Sequence, residues 1–233
     1  MKIILIIAVL LLLAAAAVIS CGCTTIPFYG RIRAGRRVAC VGDSITYSCT
    51  LPLCFLRSYP RVLGRLLGKG WCVRNFGVND RDAQSTGDKP YEKEKAYKES
   101  LAFAPEIVVM LLGSNDSKDF NWLSDAHFKE EYISLLRRYL SLPSVRQVIV
   151  LTPPAAFKPI AKPFYFTNDV PADKLSRTAE LVREAAEELS LPAVDLNAVT
   201  QNRRDLMGPD GLHPSGKGAK FIAELVYEKI RNL

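Results

Sequence analysis

From residue 37 onward, short apolar runs alternate with segments whose apolar positions recur at helical spacing. The first run, Val38-Ala39-Cys40-Val41, stops abruptly in Gly42-Asp43-Ser44. Four apolar residues in a row fit a strand buried on both faces of a parallel sheet. Helical spacing follows over residues 59–67, with Pro60 suited to a first turn and Gly68 and Gly70 placed to end it. Residues 71–76 read as a second strand that runs into Gly77. A polar loop leads to Pro90, then a charged helix is expected over 91–104, closed by Pro105. Residues 106–112 carry the strongest strand signal, and Gly113-Ser114-Asn115-Asp116 follows directly. Ser124 or Asp125 can cap a helix over 126–140. A fourth strand over 147–151, a helix over 173–189, a short fifth strand over 193–195 and a closing helix over 216–230 complete the series.

This alternation predicts an α/β fold: one parallel five-stranded sheet, helices on both faces, right-handed crossovers. One connection is too long to be a simple loop. Residues 152–170 hold four prolines together with Phe157, Phe164, Tyr165 and Phe166, and read as a functional loop or lid.

Composition changes the picture at the amino terminus. Apolar residues make up 48% of the chain, but part of that lies outside the fold. After Met1-Lys2, residues 3–19 are unbroken aliphatic and alanine, a secretory signal pattern. The placement of Cys21 after Val18-Ile19-Ser20 resembles a bacterial lipobox, with Cys21 the lipidated residue. An uncleaved signal anchor and ordinary cleavage near Ala17 or Ser20 are the other readings. All three export the protein, so residues 1–21 are set aside, 22–36 are read as a tether, and 37–233 form the domain. The net charge of +7 is scattered. It carries no nucleic-acid motif and is compatible with an anionic glycan or a membrane surface. Of the six cysteines, Cys49 and Cys54 are close enough in sequence to pair in an oxidising compartment. With two histidines and no zinc-like spacing, neither a metal nor another cofactor is expected.

Three strands end in chemically loaded turns: Ser44, Gly77 and Asn115. In a parallel sheet all three lie on one edge, where open α/β sheets place their ligands. Ser44 is a candidate nucleophile, although a serine and aspartate there would also serve a plain turn and helix cap. The backbone N–H groups of Ser44 and Gly77 and the Asn115 side-chain amide are candidate oxyanion donors. His213, in Asp210-Gly211-Leu212-His213-Pro214, is the candidate base, with Asp210 three residues earlier able to hold its far ring nitrogen. A capping or surface histidine is the alternative for His213. His127, on the polar side of a helix, reads as solvated surface.

Gly42-Asp43-Ser44-Ile45-Thr46, Asn75-Phe76-Gly77, Gly113-Ser114-Asn115-Asp116 and Asp210-Gly211-Leu212-His213-Pro214 resemble, in order, the four sequence blocks of the GDSL/SGNH hydrolases. The resemblance spans about residues 37–231. It implies a flavodoxin-like three-layer α/β/α fold and metal-free ester hydrolysis. It further implies Ser44 as nucleophile, His213 as base, Asp210 as its partner, and Gly77 and Asn115 as oxyanion donors. One departure stands out: many relatives carry a second glycine soon after the block-two glycine, where this chain has Asn79-Asp80-Arg81-Asp82. Weaker similarity around residues 93–97 and 115–122 points to bacterial carbohydrate acetylesterases, including sialate O-acetylesterase-like members. On that reading Asp43 and Trp122 contact the substrate, Trp122 by stacking on a sugar ring; the other reading of Trp122 is packing. A lysophospholipase or thioesterase-like acylhydrolase and a non-catalytic surface glycan-binding protein are the alternatives. The oligomeric state is left open.

Overall fold

The computed structural model describes residues 35–161 and 170–233. Cys21, the leader, all but the last two residues of the tether, and the aromatic run Phe164, Tyr165 and Phe166 lie outside the described residues. No helix among the described residues is long and apolar enough to cross a membrane.

In chain order the elements are β1 (Arg36–Gly42), α1 (Ser44–Tyr47), α2 (Cys54–Arg57), α3 (Tyr59–Leu67), β2 (Trp71–Gly77), α4 (Lys95–Ala102), β3 (Ile107–Leu111), α5 (Asp125–Leu140), β4 (Gln147–Leu151), α6 (Ala172–Glu188), β5 (Ala193–Val194), α7 (Leu196–Thr200) and α8 (Gly216–Arg231). The five strands are all parallel, in the order β2-β1-β3-β4-β5. This is the flavodoxin-like order, and its switch point falls between β1 and β3.

The central strands are buried on both faces, and successive residues serve opposite layers. Val38 and Cys40 of β1, with Ile107, Val109 and Leu111 of β3, pack with Leu63 of α3 and Ile222, Ala223 and Val226 of α8. Their neighbours Ala39, Val41, Val108 and Met110 pack against Tyr97 of α4, Phe128, Tyr132 and Leu136 of α5 and Val182 of α6. Each aliphatic side chain so buried contributes about 1.5–3 kcal/mol, which is why both faces must be covered.

The helix expected over 91–104 is broken. A single 3₁₀ turn, Tyr91–Lys93, is followed by Glu94 in extended conformation (φ −80°, ψ 150°) and then by α4. Long-range contacts override the local pattern: the buried Tyr91 hydroxyl donates to the Phe76 carbonyl at 2.7 Å, and Glu94 accepts from Arg81 Nε at 2.7 Å.

Candidate active site

β1 ends at Gly42, and Asp43 then caps α1, its Oδ1 accepting the Ile45 N–H at 2.8 Å. Ser44 therefore opens a one-turn helix at the carboxyl end of a central strand. Ser48, in the left-handed region (φ 66°), closes that helix by donating its N–H to the Ser44 carbonyl at 2.7 Å. As the first helical residue, Ser44 has an N–H without an intrahelical acceptor.

The segment before α8 brings His213 to the same edge. Gly211 adopts φ 79° and a Cβ there would lie 2.1 Å from the Phe157 carbonyl oxygen, so the turn needs glycine. Asp210 Oδ1 accepts the N–H groups of Leu212 at 3.1 Å and His213 at 3.0 Å. Its Oδ2 lies 2.6 Å from His213 Nδ1, and His213 Nε2 lies 2.8 Å from Ser44 Oγ. With the ring proton held on Nδ1 by Asp210, Nε2 is free to accept from the Ser44 hydroxyl. All three side chains are buried.

Burial by itself would lower the His213 pKa. The hydrogen bond to Asp210 outweighs it, with the neighbouring Cys49 and the Asp210 charge acting in the same direction, and the pKa is raised well above the ordinary histidine value. Burial pushes Asp210 the other way, but the His213 ring and the two N–H donors hold its carboxyl below the usual range. Cys49 and Cys54 do not form a disulfide.

Asn115 stands at the end of β3 with its Nδ2 donating to the Arg81 carbonyl at 3.1 Å, which leaves its second amide hydrogen. The loops after β2 and β3 interlock here. Asp116 accepts from the N–H groups of Ala83 at 2.9 Å and Gln84 at 3.0 Å, and Asp82 accepts from Asn121 Nδ2 at 2.9 Å and Lys89 N at 2.7 Å. Burial raises the Asp116 pKa to about 6, and burial together with the neighbouring Asp116 charge raises Asp82 to about 7.

Three expectations need correction. The Gly77 N–H donates to Asn75 Oδ1 at 2.8 Å, so it is not free for an oxyanion. The glycine serves packing instead, because a Cβ there would lie 2.4 Å from the Tyr47 nitrogen. Asp43 is fully buried as a helix cap, with burial raising its pKa to about 6, and it offers no surface to a substrate. Trp122 lies flat against Phe128, ring centroids 5.7 Å apart at 20°, and packs on the core, so it is not an open sugar platform. The open aromatic of that loop is Phe120, 64% exposed. His127 lies at the surface as expected, with Nε2 2.8 Å from Thr86 Oγ1.

The sequence reading did not single out the Cys49 thiol or the roles of Asp116 and Arg81. Asp116 had a signal, since it directly follows Asn115 and its carboxylate has no other business in a turn between two interlocked loops. Cys49 and Arg81 had none: Cys49 lies far along the chain from His213, and no local pattern records that the Arg81 side chain turns back on the Asn79 and Asp80 carbonyls.

The profile of the GDSL-like lipase/acylhydrolase family matches residues 40–221. An acetylxylan esterase from Xylanibacter ruminicola is 35% identical over 212 residues; the match covers 84% of this chain and 43% of that relative, so the chain spans less than half of its length. Two solved structures share the fold at low identity. A carbohydrate acetylesterase from Sinorhizobium meliloti superposes with a TM-score of 0.67 at 18% identity, covering 84% of this chain and 99% of its own. A lipase/acylhydrolase from Enterococcus faecalis gives 0.67 at 22% identity, covering 84% and 96%. The sheet order, the four blocks at its carboxyl edge and the profile match over most of the chain agree: this protein belongs to the GDSL-like lipase/acylhydrolase family, a family of ester hydrolases.

Proposed function

We propose that the protein hydrolyses short-chain esters, acetyl above all, carried on carbohydrate, with Ser44 as nucleophile, His213 as base and Asp210 as its partner. The observation that carries this reading is the continuous relay from Ser44 Oγ through the His213 ring to Asp210, 2.8 Å and 2.6 Å long, at the carboxyl edge of the sheet. Ser44 Oγ adds to the ester carbonyl while its proton passes to His213 Nε2. Asp210 stabilises the imidazolium. The oxyanion is met by the Ser44 N–H and the free hydrogen of Asn115 Nδ2. Collapse of the tetrahedral intermediate expels the alcohol, which takes the proton from Nε2. Water, deprotonated by the same nitrogen, then releases the acid.

The acetyl preference is supported by the name of the Xylanibacter relative and by the setting of the site. Asp80, Lys89 and Lys118 form an ion-pair cluster on the loop beside Asn115, and Asp82 and Asp116 are buried beneath it. An alkyl chain laid there would strip water from charged groups without replacing it. The test is a series of p-nitrophenyl esters from acetate to octanoate below any micelle threshold, followed by acetylated xylan. The expected result is the highest kcat/KM at acetate. A steady rise to octanoate would replace this reading with the lysophospholipase-like one, with the exposed Leu53, Phe55 and Leu56 shortly after the nucleophile as apolar contacts.

Asn115→Ala is expected to lower kcat by about a hundred-fold with a much smaller change in KM, because its amide is needed most when negative charge develops. Steady-state kinetics on p-nitrophenyl acetate measures both, and an unchanged kcat would reduce Asn115 to a turn residue.

A further inference from the structure

With the Gly77 N–H taken by Asn75, any backbone donor that the β2 loop adds to the Ser44 N–H must come from elsewhere on that loop. The Asn115 amide marks where: it sits against the Arg81 carbonyl, at the turn formed by residues 79–81. Asp80 in that turn is left-handed (φ 61°), an uncommon backbone state for a residue with a Cβ. The Arg81 guanidinium lies on the inner side of the turn. Its Nη1 donates to the carbonyls of Asn79 at 2.8 Å and Asp80 at 3.3 Å, and its Nε donates to Glu94 at 2.7 Å.

A trans peptide is planar, so its N–H points opposite to its C=O. With both carbonyls turned to the guanidinium, the N–H groups of Asp80 and Arg81 face away from it, side by side. Consecutive N–H groups on one side of a turn make a small anion-binding concavity. Their neighbours Val78 N and Asp82 N are spent on Gly42 O and Lys89 O, whereas the N–H groups of Asp80 and Arg81 make no hydrogen bond among the described residues. The Asp80 side chain is held outside by Lys89 and Lys118 and so cannot fold back over them.

We propose that Arg81, anchored by Glu94, is a positioning residue for ester hydrolysis: it locks the turn of residues 79–81 so that the N–H groups of Asp80 and Arg81 complete the oxyanion site with Asn115. This rests on the esterase reading above. Arg81 touches no reacting atom; it acts through the backbone it grips.

The experiment compares the parent protein with Arg81→Ala, Arg81→Lys and Glu94→Gln, using p-nitrophenyl acetate kinetics and inhibition by phenylboronic acid, which mimics the tetrahedral anion. Arg81→Ala is expected to lose at least about ten-fold in kcat with KM nearly unchanged, since small misplacements in a reacting site carry such costs. Phenylboronate affinity is expected to fall in step with kcat, and Arg81→Lys to recover part of both. A merely structural role would not tie boronate affinity to kcat in this way. Should Arg81→Ala fail to fold, Glu94→Gln carries the test, with the same paired loss expected at smaller size. Unchanged kcat and boronate affinity in the folded variants would overturn the proposal while leaving the esterase reading intact. A parent protein that turns over no ester would overturn both.

Discussion

Ser44→Ala is expected to remove at least about four orders of magnitude from kcat/KM on p-nitrophenyl acetate while the protein stays folded. Removing the nucleophile of such a unit eliminates the covalent route and leaves only what the oxyanion donors and binding provide to a water. Folding is expected to survive, since the change deletes a single oxygen at the first position of α1. The Asp43 cap, the Ser48 closing bond and the strand beneath are untouched. What the fold loses is one hydrogen bond to His213 Nε2 at 2.8 Å, worth about 1 kcal/mol. Kinetics on purified variant with a matched circular dichroism spectrum decides it. Residual activity above a few per cent would sink the assignment of Ser44.

Asp210→Asn is expected to act twice. The amide cannot stabilise the imidazolium, so the plateau rate falls by about a thousand-fold or more. It also moves the pH profile. The His213 ring takes a proton only when neutral, and Asp210 is a main cause of its raised pKa, so the parent's rate rises with pH along a limb above the ordinary histidine value of about 6.5. Without the carboxylate the burial remains, and burial disfavours the charged ring; the limb therefore shifts toward acid. The sign for stability is opposite to that for activity. A raised folded-state pKa means the charged pair stabilises the fold below about 6.5, and that contribution is lost as pH rises through the folded-state value. The parent protein is thus expected to work best where this pair stabilises it least. Plots of kcat/KM against pH for both proteins test this; a variant with the parent's limb would mean that Asp210 does not set the ring's proton affinity.

The reading from sequence succeeded where one physical cause dominates. A strand buried on both faces has no choice but to be apolar throughout, and β1, β3 and β4 were legible for that reason. Parallel strands put their carboxyl ends on one edge, so Ser44 and Asn115 could be assigned to that edge from the strand pattern alone. Asp210 and His213 were legible because three residues suffice to close a turn between them. The failures share another cause: the deciding contact depends on where a partner side chain points, which no local pattern records. Nothing in the helical spacing of residues 91–104 records that Arg81 will claim Glu94 and open the backbone there. Gly77 ends a strand as a donor should, yet only the folded chain brings the Asn75 side chain round to its N–H. Trp122 has the composition of a sugar platform, and the placement of Phe128 closes one of its faces. One-turn helices such as α2 and α7 are too short for any period to register.

Ser44 and His213, joined at 2.8 Å, are separated by 169 positions along the chain. Ser44 is carried by the first strand and His213 by the loop before the last helix. During synthesis the serine leaves the ribosome early and has no base beside it until nearly the whole domain has followed. On the proposed mechanism, a chain cut before His213 is therefore expected to carry an inert hydroxyl. The contact between them closes a loop of most of the domain, and the sheet between its ends is what holds the two side chains in register. On the proposed mechanism, hydrolytic competence therefore requires that both ends of the domain be in place.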